Sequence, residues 1–140
     1  MKIQLLRPHV RLPERATPDS AGFDIFMPEA GVIENTYVTK VPLGFATAIP
    51  PGYVALLLPR SGVGSKRGLE LNNTCGVIDA DYRGEWFATL RVKNGERFSW
   101  EAGERLLQMV LVNCLTPELE VVEQLPTTQR GTGGLGSTGQ

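Results

Sequence analysis

Four charged side chains crowd into residues 79–85, directly after the apolar tripeptide 76–78. Asp79 and Asp81 lie two residues apart, and residues at this spacing share a face of an extended chain. A carboxylate at the edge of an apolar floor can accept a proton from water, so Asp79 is a candidate general base. Tyr82 could cover an apolar pocket and stack on a flat ring. A polar hairpin turn is the alternative explanation of these charges.

Two further segments carry groups suited to anions and metals. Arg60 and Ser61 follow an apolar run that ends at Pro59, and both side chains could donate to phosphate oxygens, although the spacing of a Walker motif is absent. Ser61 is the expected N-cap of a short helix over residues 61–68. Asp24 stands among apolar neighbours, so it needs a partner: either a nearby backbone group or water bound to a metal.

The last residues form a third candidate anion site. Residues 130–139 contain five glycines together with Arg130, Ser137 and two threonines. Such a segment buries too little apolar surface to order itself, so a frayed end is one interpretation. The other is a phosphate cradle, because glycine lets successive backbone N–H groups point into one concavity.

Composition limits the class of protein. A chain of 140 residues with a net charge of −1 predicts one domain and argues against nonspecific binding to nucleic acid. Cys75 and Cys114 form no CxxC pair, which argues against a zinc site or a disulfide scaffold and favours a reducing compartment. The lone His9 is interpreted as a surface residue. The sequence predicts neither a signal peptide nor a membrane span, and hence a cytoplasmic protein.

Short apolar runs between Pro and Gly signals predict the elements that must position these groups. They predict an all-β sandwich or barrel. Alternation over residues 86–93 predicts a half-buried strand, and the more continuous runs 52–58 and 106–113 predict strands buried on both faces. Further strands are expected over residues 2–6, 22–27, 31–33, 37–42, 44–48 and 119–124.

Five segments, residues 21–25, 59–68, 73–86, 103–112 and 130–139, occur in an order that resembles the homotrimeric deoxyuridine triphosphate nucleotidohydrolases, the dUTPases. The resemblance implies a jelly-roll-like β subunit, a core over residues 1–126 and a flexible arm over 127–140 that closes the active site. It also implies three shared sites, Mg²⁺ and the hydrolysis of dUTP to dUMP and pyrophosphate, which keeps uracil out of DNA and supplies dUMP for thymidylate synthesis.

The resemblance also implies the role of each site residue. Asp79 would activate the water that attacks the α-phosphorus, Tyr82 would pack under the deoxyribose, and Asp24 would act near the metal through water. The remaining substrate-binding residues fall into three groups: Asn73, Gly76, Val77, Ile78 and Phe87 around the nucleoside; Arg60, Ser61, Gly62 and Gln108 on the phosphates; Arg130, Leu135, Gly136, Ser137 and Thr138 in the arm. Leu135 replaces the usual aromatic residue and loses stacking worth about 1–3 kcal/mol.

Two alternatives to this activity remain open at the level of sequence. One is a dCTP deaminase-like or bifunctional enzyme of the same fold, which we expect to carry an additional acid/base glutamate. The other is a non-catalytic regulatory trimer, against which the presence of Asp79, Arg60 and Arg130 argues. Release of ammonia from dCTP would distinguish the deaminase.

Overall fold

The computed structural model describes residues 1–34, 39–93 and 97–134 of the chain. Eleven strands and one short helix lie within these ranges. In chain order they are β1 (Lys2–Leu5), β2 (Gly22–Phe26), β3 (Gly31–Ile33), β4 (Thr39–Pro42), β5 (Phe45–Ala48), β6 (Tyr53–Pro59), α1 (Ser61–Arg67), β7 (Leu69–Leu71), β8 (Gly76–Ile78), β9 (Phe87–Val92), β10 (Phe98–Trp100) and β11 (Arg105–Asn113).

The strands form antiparallel sheets whose neighbours are mostly distant in sequence. One sheet has four strands in the order β2-β11-β6-β8, and another has three in the order β4-β9-β7. The pairs β1-β5 and β3-β10 complete the architecture. These crossing connections confirm the predicted all-β, jelly-roll-like fold. Among the described residues, no helix has the length and apolar character needed to cross a bilayer.

The core lies between these sheets and contains the inner face of β9. Ala88, Leu90 and Val92 are buried while Phe87 and Arg91 are exposed, which confirms the predicted alternation. Trp86, which precedes β9, is fully buried; its ring lies 5.2 Å from that of Phe45, measured between centroids. The Trp86 Nε1–H donates to Thr47 Oγ1 at 3.1 Å, as a buried indole requires. Trp86, which follows the charged turn, is therefore held in place both by packing and by a hydrogen bond.

The four-stranded sheet has one buried face and one partly accessible apolar face. Ala55 and Leu57 of β6 are buried, whereas Val54, Leu56 and Leu58, which alternate with them along the strand, are only half-buried. The prediction that this strand is buried on both faces is therefore wrong for the single chain. Val77, on the neighbouring β8, exposes 62% of its surface.

Helix α1 begins one residue earlier than the sequence predicts. The N–H groups of Val63 and Gly64 both donate to the Arg60 carbonyl, at 3.0 and 2.9 Å, so Arg60 is the N-cap and Ser61 is the first helical residue. The assignment of Ser61 as the cap is wrong, because the Arg60 backbone is already extended there and no side chain caps the helix. Gly68 ends the helix in the left-handed conformation, with φ of 69°.

The predicted strand over residues 119–124 is wrong for the isolated chain. The structure describes these residues, assigns them no strand and leaves Leu119 and Val121 94% and 98% exposed. Their alternation with Glu118 and Glu120 favours an extended strand, but no described segment of this chain supplies the hydrogen bonds. Conversely, the sequence does not predict the three-residue strands β7, β8 and β10.

Candidate active site

A cavity of about 230 Å³ opens between β8, the charged turn and the start of β9. It is smaller than the clefts of about 300–1,000 Å³ that enclose drug-sized ligands, so it suits one part of a larger ligand. The structure brings together here most of the residues that sequence analysis assigned to the nucleoside, and adds Glu85 and Trp86. The full lining is Asn73, Gly76, Val77, Ile78, Asp79, Tyr82, Glu85, Trp86 and Phe87.

The back wall of this cavity depends on a close approach between β8 and β6. Gly76 lies opposite Leu57, and a Cβ at position 76 would fall 2.9 Å from the Leu57 Cβ. The preceding turn is tight, because the Cys75 N–H donates to the Asn73 carbonyl at 2.6 Å. Thr74 has φ of 65°, which is uncommon for a residue with a side chain. A strained turn thus holds Asn73 at the cavity wall.

The charged turn is closed by its own side chains. The Tyr82 hydroxyl donates to the Glu85 carbonyl at 3.1 Å, and Arg83 Nη1 donates to the carbonyls of Ala80 and Tyr82 at 2.7 and 3.0 Å. A side chain at Gly84 would collide with the Tyr82 ring. The ring therefore folds back across the turn and faces the cavity.

Asp79 stands between this cavity and a second, larger recess. The second recess, a groove of about 740 Å³, is bordered by Tyr53, Arg83 and Cys114. It shares Val77 and Asp79 with the cavity beside β8. The Asp79 carboxylate is exposed and forms no ion pair with any described residue. A ligand that fills the cavity and extends into the groove must therefore pass Asp79.

Asp24 lies elsewhere, between two arginines. Its side chain is 9% exposed; Oδ1 is 2.8 Å from Arg60 Nε, and Oδ2 accepts from Arg105 Nη1 at 3.2 Å. Sequence analysis required a partner for this buried acid and did not identify Arg105. The only signal was a basic residue at the start of segment 103–112. Two guanidinium groups satisfy the carboxylate, which makes this burial tolerable.

Gln108 joins this second group through the sheet. It lies in β11 between Asp24 of β2 and Leu58 of β6, and its Nε2 donates to the Pro59 carbonyl at 3.1 Å. Ser61 and Gly62, at the start of α1, are exposed next to Arg60. Four of the residues assigned to phosphates thus surround one end of β6, close to Asp24.

The two groups lie at opposite ends of β6. Ile78 pairs with Ala55, so Asp79 lies near the beginning of the strand, whereas Arg60 follows its last residue, Pro59. Arg60 follows Ala55 by five residue steps of extended chain, which corresponds to about 16 Å. Within one chain, the candidate base and the candidate phosphate ligands do not meet.

The C-terminal candidates are only partly described. Arg130 is exposed, and its Nε donates to the Gly133 carbonyl at 3.0 Å within the same segment. Leu135, Gly136, Ser137 and Thr138 lie outside the described residues. His9 is exposed. Among the described residues, no three His, Cys, Asp or Glu side chains cluster as a metal-binding group would.

Comparison with known proteins gives a consistent result. Residues 9–139 match the family model described as dUTPase. A deoxyuridine 5'-triphosphate nucleotidohydrolase of Pseudomonas entomophila (strain L48) is 41% identical over 131 residues, covering 91% of this chain and 87% of that protein. One from Ralstonia nicotianae is 39% identical over 145 residues, covering 100% and 98%. The solved structure of Staphylococcus bacteriophage 80alpha dUTPase with dUPNHPP superposes with a TM-score of 0.89 at 33% identity, covering 99% of this chain and 98% of that one.

Proposed function

Because the chain belongs to the dUTPase family and hydrolyses dUTP to dUMP and pyrophosphate, we propose that each of its active sites combines residue groups from different copies of the chain. The predicted activity is confirmed. The relatives are named as nucleotidohydrolases, which favours neither a deaminase nor a non-catalytic module. The observation that carries the proposal is the separation of Asp79 from Arg60 along β6.

The cavity beside β8 holds the deoxyuridine. Asn73 and the backbone of Gly76–Ile78 form a rigid edge, because β8 is hydrogen-bonded to β6. A thymine methyl group meets this edge sterically, which alone gives about 10–200-fold discrimination, whereas cytosine leaves polar groups of the edge unpaired, which can reach about 10⁴-fold. Tyr82 lies under the deoxyribose and leaves no room for a 2′-hydroxyl, and Phe87 completes the wall.

Asp79 is the general base. Its carboxylate lies where the ligand leaves the cavity for the groove, which is where the α-phosphorus follows the sugar. A carboxylate oxygen accepts a proton from water, and the water oxygen bonds to the α-phosphorus. The bond from this phosphorus to the bridging oxygen of the β-phosphate breaks, and pyrophosphate leaves with that electron pair.

The opposite end of β6, supplied by a neighbouring copy, binds the phosphates. Arg60 uses Nε on Asp24 and Nη1 on the Arg105 carbonyl, and a guanidinium group has five N–H donors, so donors remain for phosphate oxygens. Ser61, Gly62 and Gln108 add neutral donors beside it. Such fixed donors stabilise the charge that moves onto the leaving pyrophosphate.

The residues present fit a magnesium ion that is held mainly by the substrate. Mg²⁺ keeps several waters and binds through one or two carboxylates together with substrate phosphates, so a cluster of protein ligands is not required. Asp24 is already committed to two arginines, which suits contact through water better than direct ligation. When bound, the ion neutralises phosphate charge. A related dUTPase from phage phi11 of S. aureus is described with a structural Mg(II) ion.

We infer a homotrimer from surfaces that a single chain leaves incomplete. The outer face of the β6 sheet is apolar and partly accessible, and Val77 on its edge is largely exposed. Leu119 and Val121 alternate with acidic residues in a segment that pairs with no strand in the described part of the chain. Pairing with a neighbouring copy buries both features and brings the start of one β6 near the end of another. Three copies in a closed ring then form three equivalent sites.

The last residues act as a lid, with residues 1–126 as the core and 127–140 as the arm. The last strand ends at Asn113, and residues 115–132 are exposed. Arg130 and the hydroxyls of Ser137 and Thr138 bind the γ-phosphate, while Leu135 covers the uracil. Closure excludes bulk water from the reaction. The free thiols of Cys75 and Cys114 support a reducing, cytoplasmic setting.

Mixed assemblies test the division of each site. The Asp79→Asn and Arg60→Ala variants are each expected to be inactive. After co-refolding at equal amounts, a site is intact when one copy supplies Asp79 and its neighbour supplies Arg60, so about one quarter of the sites should regain activity. Pyrophosphate release from dUTP measures this. Asp79→Asn mixed with Asp79→Ala is the matched control and should stay inactive. Assembled mixtures without recovered activity would mean that one copy supplies both residues.

A further inference from the structure

Glu85, the last residue of the charged turn, forms an ion pair with Arg7, which lies far from the turn in sequence. Arg7 Nη1 donates to Glu85 Oε1 at 2.6 Å, and Nη2 donates to Oε2 at 3.3 Å. The Gly44 N–H also donates to Oε1, at 3.0 Å. The side chains of Arg7 and Glu85 are about one third exposed, at 33% and 30%. Glu85 therefore receives three donors from two distant segments of the chain.

The same residue receives the hydroxyl of the residue assigned to the sugar. The Tyr82 hydroxyl donates to the backbone carbonyl of Glu85. On the other side of that peptide bond, the Trp86 N–H donates to the Phe45 carbonyl at 2.9 Å. The Glu85–Trp86 peptide unit, which accepts from the Tyr82 hydroxyl, is thus held in two ways. The Trp86 N–H holds it through the backbone, and Arg7 holds it through the Glu85 side chain.

We propose that Arg7 and Glu85 are positioning residues that set the selectivity for deoxyribose over ribose by fixing the Tyr82 ring. This inference rests on the proposed role of Tyr82. A ring excludes a 2′-hydroxyl sterically only if the ring is held in place and does not move aside when the ribonucleotide binds. Loosening Glu85 lets the ring move away from the 2′ position and leaves space for a hydroxyl.

The expected effect appears mainly with the ribonucleotide. In Arg7→Met, which keeps the length of the side chain and removes its donors, kcat/KM for UTP should rise about 10-fold relative to that for dUTP, through a lower KM for UTP. The kcat for dUTP should change little, since Asp79 is not part of the ion pair. Arg7→Lys keeps the positive charge and loses the second donor group, so it should retain more of the selectivity for dUTP than Arg7→Met does. Glu85→Gln should raise the ratio of kcat/KM for UTP to that for dUTP in the same direction.

The matched control removes an ion pair elsewhere. Glu70→Gln breaks the exposed contact between Arg91 and Glu70, which joins β7 to β9 at 3.0 Å, and should leave the ratio unchanged. Equal losses with dUTP and UTP in Arg7→Met would show a merely structural role and overturn the proposal. So would an unchanged ratio in Arg7→Met and Glu85→Gln together.

Comparing Tyr82→Ala with Arg7→Met separates the role of the ion pair from the role of Tyr82 itself. If Tyr82→Ala accepts UTP while Arg7→Met still rejects it, the ion pair is not needed and only the present inference fails. If Tyr82→Ala rejects UTP as well as the unaltered protein does, the assignment of Tyr82 to the sugar is itself wrong. Thermal unfolding of each variant, followed by circular dichroism, verifies that the kinetic comparison is made on folded protein.

Discussion

Adding a single methyl group at Gly76 should damage both the stability of the fold and the binding of the base. In Gly76→Ala the new Cβ would lie 2.9 Å from the Cβ of Leu57, which is fully buried and cannot recede. Carbon atoms in contact prefer about 3.5–4.0 Å, so β8 must move away from β6 by about 0.6 Å or more. Overpacking of this kind costs about 1–3 kcal/mol.

The same displacement moves the backbone that we propose contacts the uracil. A misplacement of about 1 Å can cost 10²-fold in rate, so a shift of about half that size should lower kcat/KM for dUTP roughly 10-fold. Urea unfolding at a fixed protein concentration measures the first effect, because the stability of an assembly depends on concentration. Steady-state pyrophosphate release measures the second.

The matched control is the same methyl group in helix α1. In Gly64→Ala the nearest atoms, the Pro59 Cβ and the Leu69 carbonyl oxygen, lie 3.5 and 3.6 Å away, which is ordinary contact. Replacing a helical glycine by alanine should raise the free energy of unfolding by about 0.5–1 kcal/mol. A Gly76→Ala variant as stable as the unaltered protein, or an equal loss of stability in both variants, would contradict this prediction.

Three further changes test the base, the core and the arm. Asp79→Asn should lower kcat at least about 10²-fold, measured by pyrophosphate release, while equilibrium binding of dUTP persists; near-normal turnover would exclude Asp79 as the base. Thr47→Val leaves the Trp86 Nε1–H without its acceptor and should lower the free energy of unfolding by about 1–3 kcal/mol, whereas Thr47→Ser should not. Deleting residues 130–140 should abolish most activity and leave a folded, assembled protein; an unfolded product would make the segment structural.

Local periodicity was sufficient to predict the strands that alternate over six or more residues. β9 is the clearest case, since Ala88, Leu90 and Val92 lie on one face of the strand and that face packs into the apolar core. β8 was missed because three residues next to a group of charges look like part of a turn. The strand predicted over residues 119–124 shows the opposite error, since an alternating pattern does not reveal whether a neighbour is available.

Long-range ion pairs could not be predicted from the sequence for a related reason. Arg7 and Glu85 are 78 residues apart, and Asp24 and Arg105 are 81 apart. Which charges meet depends on the register of β11 against β2 and on the path of the loops, and neither is encoded in local composition. The nucleoside residues were named through their resemblance to a family, whereas the partners that hold them in place emerged only from the folded structure.

The placement of Asp24 between two arginines has a consequence for product release. The carboxylate lies against both arginines, so it partly offsets the charge of the Arg60 and Arg105 guanidinium groups. A phosphate group that binds Arg60 shares it with Asp24 and is held less tightly than by an unpaired arginine. For the phosphate-binding role that we propose for Arg60, this shared charge weakens the hold on pyrophosphate and therefore favours its release.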